Sequence, residues 1–222
     1  MGVAERRQRE RKERRQCILD AAERVFLDKG LSSATMEEIA HVAEVSKGTL
    51  YLYFKGKDEL YLAIAMRALS ELLDHFEKAR AVGGSGKQRL RGLLSAHVDF
   101  AVRHRDRFRV ATSWLSSEYS VGDDNPGFAE YKALITQVYC VAVETIELGK
   151  QDGTLRPDLD GHVLATQLWG ATYGAMTLRA NSIEVMRRMP NQIDWDQWSE
   201  SFVDLMLLAL GNPEQPSDKE LS

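Results

Sequence analysis

Apolar residues along this 222-residue chain recur at intervals of three and four, and no segment sustains the alternation of a strand. That spacing keeps one face of a helix apolar, so the pattern predicts an all-α protein. The first clear helix covers 16–29, with Ile18, Ala22, Val25 and Phe26 on one face. Gly30 is placed to end it in a left-handed conformation, followed by apolar Leu31. Thr35-Met36-Glu37-Glu38 has the spacing of a capping box and opens a short helix to Ala43. Ser46 caps a second short helix to Phe54. Lys57 begins a longer one to Ala81, with Leu60, Ile64 and Leu69 facing inward. Further helices are expected at 87–104, 106–117, 127–151, 159–186 and 195–210. Gly83-Gly84-Ser85-Gly86 reads as a flexible linker near a domain boundary. The other breaks fall at 122–127, at 153–157 and at Pro190-Asn191, and 212–222 reads as a disordered polar tail.

Composition adds little to this picture, and charge distribution adds more. Hydrophobic residues make up 44% and charged residues 28% of the chain, enough for a sizeable core. No apolar run approaches a membrane span, and the basic N-terminus leads into more charge rather than into an apolar stretch. A cytoplasmic, nucleoid-associated protein with no membrane partner is therefore expected. The net charge is −4, yet residues 1–15 carry seven Arg or Lys against three Glu, a surplus of four positive charges at one end. Such an asymmetry suits a DNA-contacting end on a neutral-to-acidic body. Cys17 and Cys140 are expected to be buried thiols on helices.

The segment Thr35 to Phe54 carries the functional signal. Two helices of about eight residues flank a tight Ala43-Glu44-Val45 turn. Ile39, Ala40, Val45, Leu50 and Phe54 are the natural core positions, and small Ala40 and Ala43 allow close approach. The second helix is too short to stand alone and must lean on its neighbours. This is the helix-turn-helix arrangement, whose second helix enters the major groove. Lys47 suits guanine or phosphate, Gly48 admits a close backbone, and Thr49 offers a hydroxyl and a methyl. Tyr51 and Tyr53 can donate to phosphates, and Leu52 suits a thymine methyl. The amides beyond Ser46 favour an anion. Lys57 and Thr35 flank the same groove. The basic stretch 1–15 reads either as an arm for an adjacent minor groove or as a solvated helix with Glu10 and Arg14 paired.

The residues from Ile18 to Leu60 resemble the N-terminal signature of the tetracycline-repressor (TetR) family. The match runs through Ile18-Leu19-Asp20-Ala21-Ala22, Phe26, Lys29-Gly30, Thr35, Ile39-Ala40 and Ala43. It continues through Val45 to Tyr51, then Tyr53-Phe54, Lys57 and Glu59-Leu60. Glu44 departs from the glycine often found in that turn, and is expected to need a slightly strained backbone. The resemblance implies a three-helix DNA-binding domain over 16–60 and a larger helical ligand-binding and dimerisation domain over 61–211. It implies an inverted-repeat operator in double-stranded DNA, a homodimer and a small-molecule effector. The expected function is a sequence-specific transcriptional regulator, a repressor released by an apolar or aromatic ligand, and not an enzyme. The alternatives are a small-molecule binding protein with a vestigial DNA-binding end, or a module that binds anionic surfaces through its basic arm.

Beyond residue 60 the reading thins. The last two helices of such regulators usually pair with their mates. Gly170 and Gly174 on one of them, and Trp198, Phe202, Leu205, Met206 and Ala209 on the other, fit either that interface or an intramolecular core stripe. His97, Phe100, Trp114, Tyr139, Trp169, Tyr173 and Met176 are candidate pocket-lining residues or ordinary core. No cofactor is expected. Residues 81–88 lack the first glycine and the final Ser/Thr of a phosphate-binding loop. The histidines at 41, 75, 97, 104 and 162 include no His-x-x-x-His pair, and no Gly-x-Ser-x-Gly elbow occurs. Asp123-Asp124 reads as a solvated turn.

Overall fold

A computed structural model of the chain describes residues 2–108, 126–181 and 194–213. The expected pocket residue Trp114, the breaks at 122–125 and Pro190-Asn191, most of the helix at 106–117 and the tail beyond 213 lie outside them. The described helices are α1 (Val3–Lys29), α2 (Met36–Val42), α3 (Lys47–Tyr53), α4 (Lys57–Ala81), α5 (Gly86–Arg103), α6 (Pro126–Gln151), α7 (Gly161–Asn181) and α8 (Trp195–Leu210). Among the described residues the β structure is one isolated bridge between Leu155 and Gly211.

The described residues divide into two compact units, one drawn from 1–70 and 106–134, the other from 71–105 and 135–222. The division falls within α4 and within α6, so each helix contributes to both units.

In the first unit, Ile18, Leu19, Ala22, Val25 and Phe26 of α1 meet Met36, Ile39 and Ala40 of α2, Leu50 of α3, and Leu60, Tyr61, Ala63 and Ile64 of α4. A second cluster joins Leu62 and Ala65 of α4 to Tyr131 of α6, with half-buried Leu69 beside it. The basic stretch at the N-terminus continues α1 as a solvated helix. Propagating a helix that is already nucleated adds one hydrogen bond per residue. Here i,i+4 pairs add to it: Arg9 with Glu13 at 3.6 Å, and Glu10 with Arg6 at 2.9 Å rather than with Arg14 as expected. Gly30 ends α1 with φ 78° as expected, but its ψ of 160° is extended rather than left-handed helical. That region is open essentially to glycine alone.

In the second unit, α5 packs against both α7 and α8. Leu90, Leu93, Leu94 and Val98 of α5 are buried with Leu164, Leu168 and Met176 of α7 and Val203, Leu207 and Leu210 of α8. Residues 82–85 are not the flexible linker that their composition suggests. Gly83 and Gly84 adopt φ of 89° and 92° in a tight turn, and Ser85 caps α5 by accepting from the Gln88 amide. The first two amides of α5, those of Gly86 and Lys87, donate to Asp152 Oδ2 at 2.6 Å and Thr154 Oγ1 at 3.1 Å. Gly86 itself lies against the backbone of Gly149, where a Cβ would approach within 2.1 Å. Composition marks the turn but not the tertiary contacts that hold it.

Two further expectations are corrected. Cys17 and Cys140 are exposed, not buried. Each precedes a buried residue, Ile18 or Val141, and the 100° step of a helix turns it off the buried face. Helix α7 starts at Gly161 rather than 159, because Asp160 is its cap and accepts from the amides of His162 and Val163. Those donors hold its carboxyl below the usual carboxylate range.

Candidate nucleic-acid interface

Both short helices are closed at their N-termini by their own side chains. Thr35 Oγ1 accepts from the Glu38 amide at 3.2 Å, and Glu38 Oε2 returns to the Thr35 amide at 3.0 Å, the reciprocal box expected from the spacing. Ser46 Oγ accepts from the Thr49 amide at 3.0 Å and lies 2.8 Å from the Thr49 hydroxyl. Between them the Val45 amide donates to Ala40 O at 3.0 Å, and Glu44 takes φ 53°. This is the positive φ expected where the family often has glycine, and a non-glycine side chain crowds the next carbonyl there.

The turn seats α3 on α2 and orients its faces. Leu50 is fully buried and Phe54, just past the helix end, nearly so. Val45 and Tyr53 pack on the same core from its edge. The opposite face of α3 is open: Ser46, Lys47, Gly48, Tyr51 and Leu52 are exposed, with Leu52 at 78%. A Cβ on Gly48 would find only Ser46 Oγ, at 3.9 Å, so no packing within the chain requires a glycine there. Tyr53, grouped with the exposed set in the sequence reading, is half-buried.

Electrostatics refine the roles. Lys47 forms an ion pair with Glu37 in the first turn of α2. That hydrogen bond holds the Glu37 carboxyl below, and the Lys47 ammonium above, their ordinary values. Lys29 is paired in the same way with Glu38. Lys57 donates to the carbonyls of Leu31 and Ser32, at 3.0 Å each, and ties α4 to the loop before α2. Arg15 lays its guanidinium over the Phe54 ring, 4.9 Å from the centroid. Neither the Glu37 partner nor the Arg15 contact is visible in the sequence, because each joins residues brought together only by tertiary packing.

The candidate pocket residues in the second unit differ in burial and partners. His97 and Phe100 are buried on α5, where His97 meets Phe76 edge-on with ring centroids 6.0 Å apart. Burial lowers the His97 pKa to about 4. Met176 is buried as well. Tyr139 instead reaches His162 Nδ1 at 3.0 Å, and Trp169 stacks on Tyr173 with its indole 47% exposed. An open groove of about 600 Å³ in this unit is lined by Glu77, Arg80, Arg89, Glu144 and Glu147, and by none of the candidates.

The candidate interface residues present open surfaces. A Cβ on Gly170 or Gly174 would meet nothing within 4 Å. They lie on an exposed face of α7 with Val163 and Leu178. On α8 the buried side is Val203, Leu207 and Leu210, so Leu205 (60% exposed), Leu208 (80%) and Ala209 face outward. Trp198 and Phe202 stack at 5.6 Å and are half-buried, as is Met206.

Comparison with known proteins agrees with this geometry. Residues 18–64 match the family model described as bacterial regulatory proteins, tetR family. The transcriptional activator FasR of Mycolicibacterium smegmatis is 40% identical over 100 residues, 45% of this chain and 46% of that protein. The transcriptional repressor KstR2 of the same organism is 29% identical over 147 residues, 66% of this chain and 70% of that protein. The chain thus spans about half the length of the first relative. The crystal structure of the regulator FadR from Bacillus subtilis in complex with stearoyl-CoA superposes with a TM-score of 0.71. It covers 86% of this chain and 97% of that one at 19% identity, a likeness of fold.

Proposed function

Since this chain belongs to the tetR family of bacterial regulatory proteins, we propose that it is a homodimeric repressor released from an inverted-repeat operator by an apolar or aromatic ligand. The observation that carries the reading is the exposed face of α3. Lys47, Gly48, Tyr51 and Leu52 point outward from a helix whose other side is locked into the core. No intramolecular role accounts for Gly48 or for a 78% exposed Leu52. In the proposed complex Lys47 leaves Glu37 for a guanine edge or a phosphate, Tyr51 and Tyr53 hydrogen-bond phosphates, and Thr49 and Leu52 meet base edges. Thr35, Ser46 and Lys57 hold the frame, beside phosphates at the two helix starts.

One short helix reads few base pairs, so two half-sites and a dimer are expected. The apolar outward faces of α7 and α8 support pairing there, through Gly170, Gly174 and Leu205, with Trp198, Phe202 and Met206 along its edge. Ligand binding in the larger unit would act through α4, a single helix that contributes to both units. Ligand and operator then weaken each other by linkage. His97, Phe100, Tyr139, Trp169, Tyr173 and Met176 remain the candidate contacts. FadR, of the same fold, is solved with stearoyl-CoA, so long-chain acyl-CoA is the first class to screen.

The test is selection of bound duplexes from a random DNA pool, followed by affinity at two salt concentrations and repression of a reporter. An enriched inverted repeat that drops off on adding a ligand supports the proposal. Salt-sensitive binding with no enriched sequence would favour the anionic-surface reading, and ligand binding with no duplex binding would favour the vestigial one. Within the enriched site, Lys47→Ala should relax preference at one base position by about 1–3 kcal/mol. Glu37→Gln should tighten binding, because it frees Lys47 and removes a negative charge beside the duplex.

A further inference from the structure

The apolar stripe of α1 does not stop where the core ends. Ile18, Ala22 and Val25 are buried on one face, and the same face continues toward the N-terminus through Arg14, Arg11 and Arg7. The steps from Arg7 to Val25 are four, three, four, four and three residues, the repeat that keeps positions in line on a helix. The opposite side is different in kind. There Arg6 is paired with Glu10 and Arg9 with Glu13, so both arginines of that side are compensated within the helix, while Lys12 beside them is exposed. Arg7, Arg11 and Arg14 make no ion pair or hydrogen bond among the described residues, and all three are exposed. Their place relative to α3 is set by Arg15, whose guanidinium covers Phe54, the residue that ends α3. The arginine row therefore begins one residue from the contact at the C-terminal end of α3 and extends about 11 Å along α1 from Arg14 to Arg7, seven helical rises.

Solvation alone asks for no such sorting of paired and unpaired arginines onto opposite faces. A row of uncompensated guanidinium groups complements a regular array of backbone phosphates. We propose that the N-terminal extension of α1 is a second duplex contact, in which Arg7, Arg11 and Arg14 neutralise phosphates beyond the base pairs read by α3. This rests on the reading that α3 binds DNA, and the occupant is the same duplex. The contact adds affinity and salt dependence but no sequence preference.

The experiment uses the full chain and the duplex enriched by the wild type. The variant Arg7→Gln/Arg11→Gln is compared with Arg6→Gln/Arg9→Gln, which removes equal charge from the opposite face. Both lie outside the core, so circular dichroism and melting should match the wild type. The slope of log affinity against log salt should become shallower by about 0.9 per lost phosphate contact, or about 2 per protomer, in Arg7→Gln/Arg11→Gln. The companion variant should change it much less, and the selected sequence should be the same for all three proteins. Equal effects in the two variants would overturn the proposal in favour of bulk charge. An unchanged slope in Arg7→Gln/Arg11→Gln would overturn it while leaving α3 as the reader. A wild type that enriches no sequence would instead remove the α3 reading, and the second contact with it.

Discussion

Gly48 sits in the first turn of α3 with open space where a side chain would begin. Alanine there should stabilise the free protein by up to about 1 kcal/mol, because glycine is the weaker helix former. If the backbone meets the duplex at this point, the same change should weaken operator binding by about tenfold or more, roughly 1.4 kcal/mol. Melting and binding measured on one Gly48→Ala preparation separate the two effects, and unchanged binding would take Gly48 out of the interface. His97 makes a second prediction at this scale. Burial holds its folded-state pKa near 4 against an ordinary 6.5, so the unfolded chain binds more protons between those values. Stability is then complete above pH 6.5 and is lost as the pH falls toward 4. Chemical unfolding should show a loss of about 2 kcal/mol from pH 7 to pH 5 beyond that of a His97→Phe variant. Parallel pH profiles in the two proteins would contradict it.

At the scale of elements, α1 and α4 are joined by more than apolar packing. Arg67 of α4 donates to Asp20 at 2.5 Å and forms an ion pair with Glu23, both on α1, and Arg107 approaches Glu23 at 3.6 Å. The Glu23 side chain is only 11% exposed. Removing one partner strands the other charge in a poorly solvated place, so Arg67→Ala should destabilise the protein by about 3 kcal/mol or more in urea. A loss below about 1 kcal/mol would mean that water already screens the cluster. The α5–α6 crossing is set by close backbones. Gly86→Ala would place a Cβ within 2.1 Å of Gly149 N, so it should lose about 1–3 kcal/mol by overpacking.

For the whole molecule the outward faces of α7 and α8 carry the proposed dimer contact. Leu205 and Leu208 on α8, and Val163 and Leu178 on α7, expose apolar area that a partner copy would bury. If the proposed dimer forms through this face, Leu205→Glu should leave the fold of the individual chain nearly unchanged and shift sedimentation from dimer to monomer. It should also depress operator affinity, since each monomer then holds one half-site alone. A variant that stays dimeric would move the interface off this face of α8.

The sequence by itself determined the helical class, most helix boundaries and the recognition motif, because those depend on local physics. Thr35 and Glu38 are three residues apart and cap each other wherever the helix sits, and Ser46 does the same for α3. The 3.6-residue period placed Ile39, Leu50 and Phe54 inside and Lys47 and Leu52 outside. Even the strained turn was legible, since Glu44 occupies a position that calls for glycine. Tertiary structure decided what depends on distant partners. It turned an apparent linker into a packed turn, because Asp152, Thr154 and Gly149 arrive there from far along the chain. It exposed two cysteines whose burial depended on a rotation of one residue. It gave Lys47 a resting partner in Glu37 and Lys57 an anchor on the carbonyls of 31–32. It also buried His97, Phe100 and Met176 while leaving Trp169 half exposed, a distinction the spacing does not make. A helix is dictated by neighbours a few residues away, whereas pairing, burial and convergence are set by which helices meet.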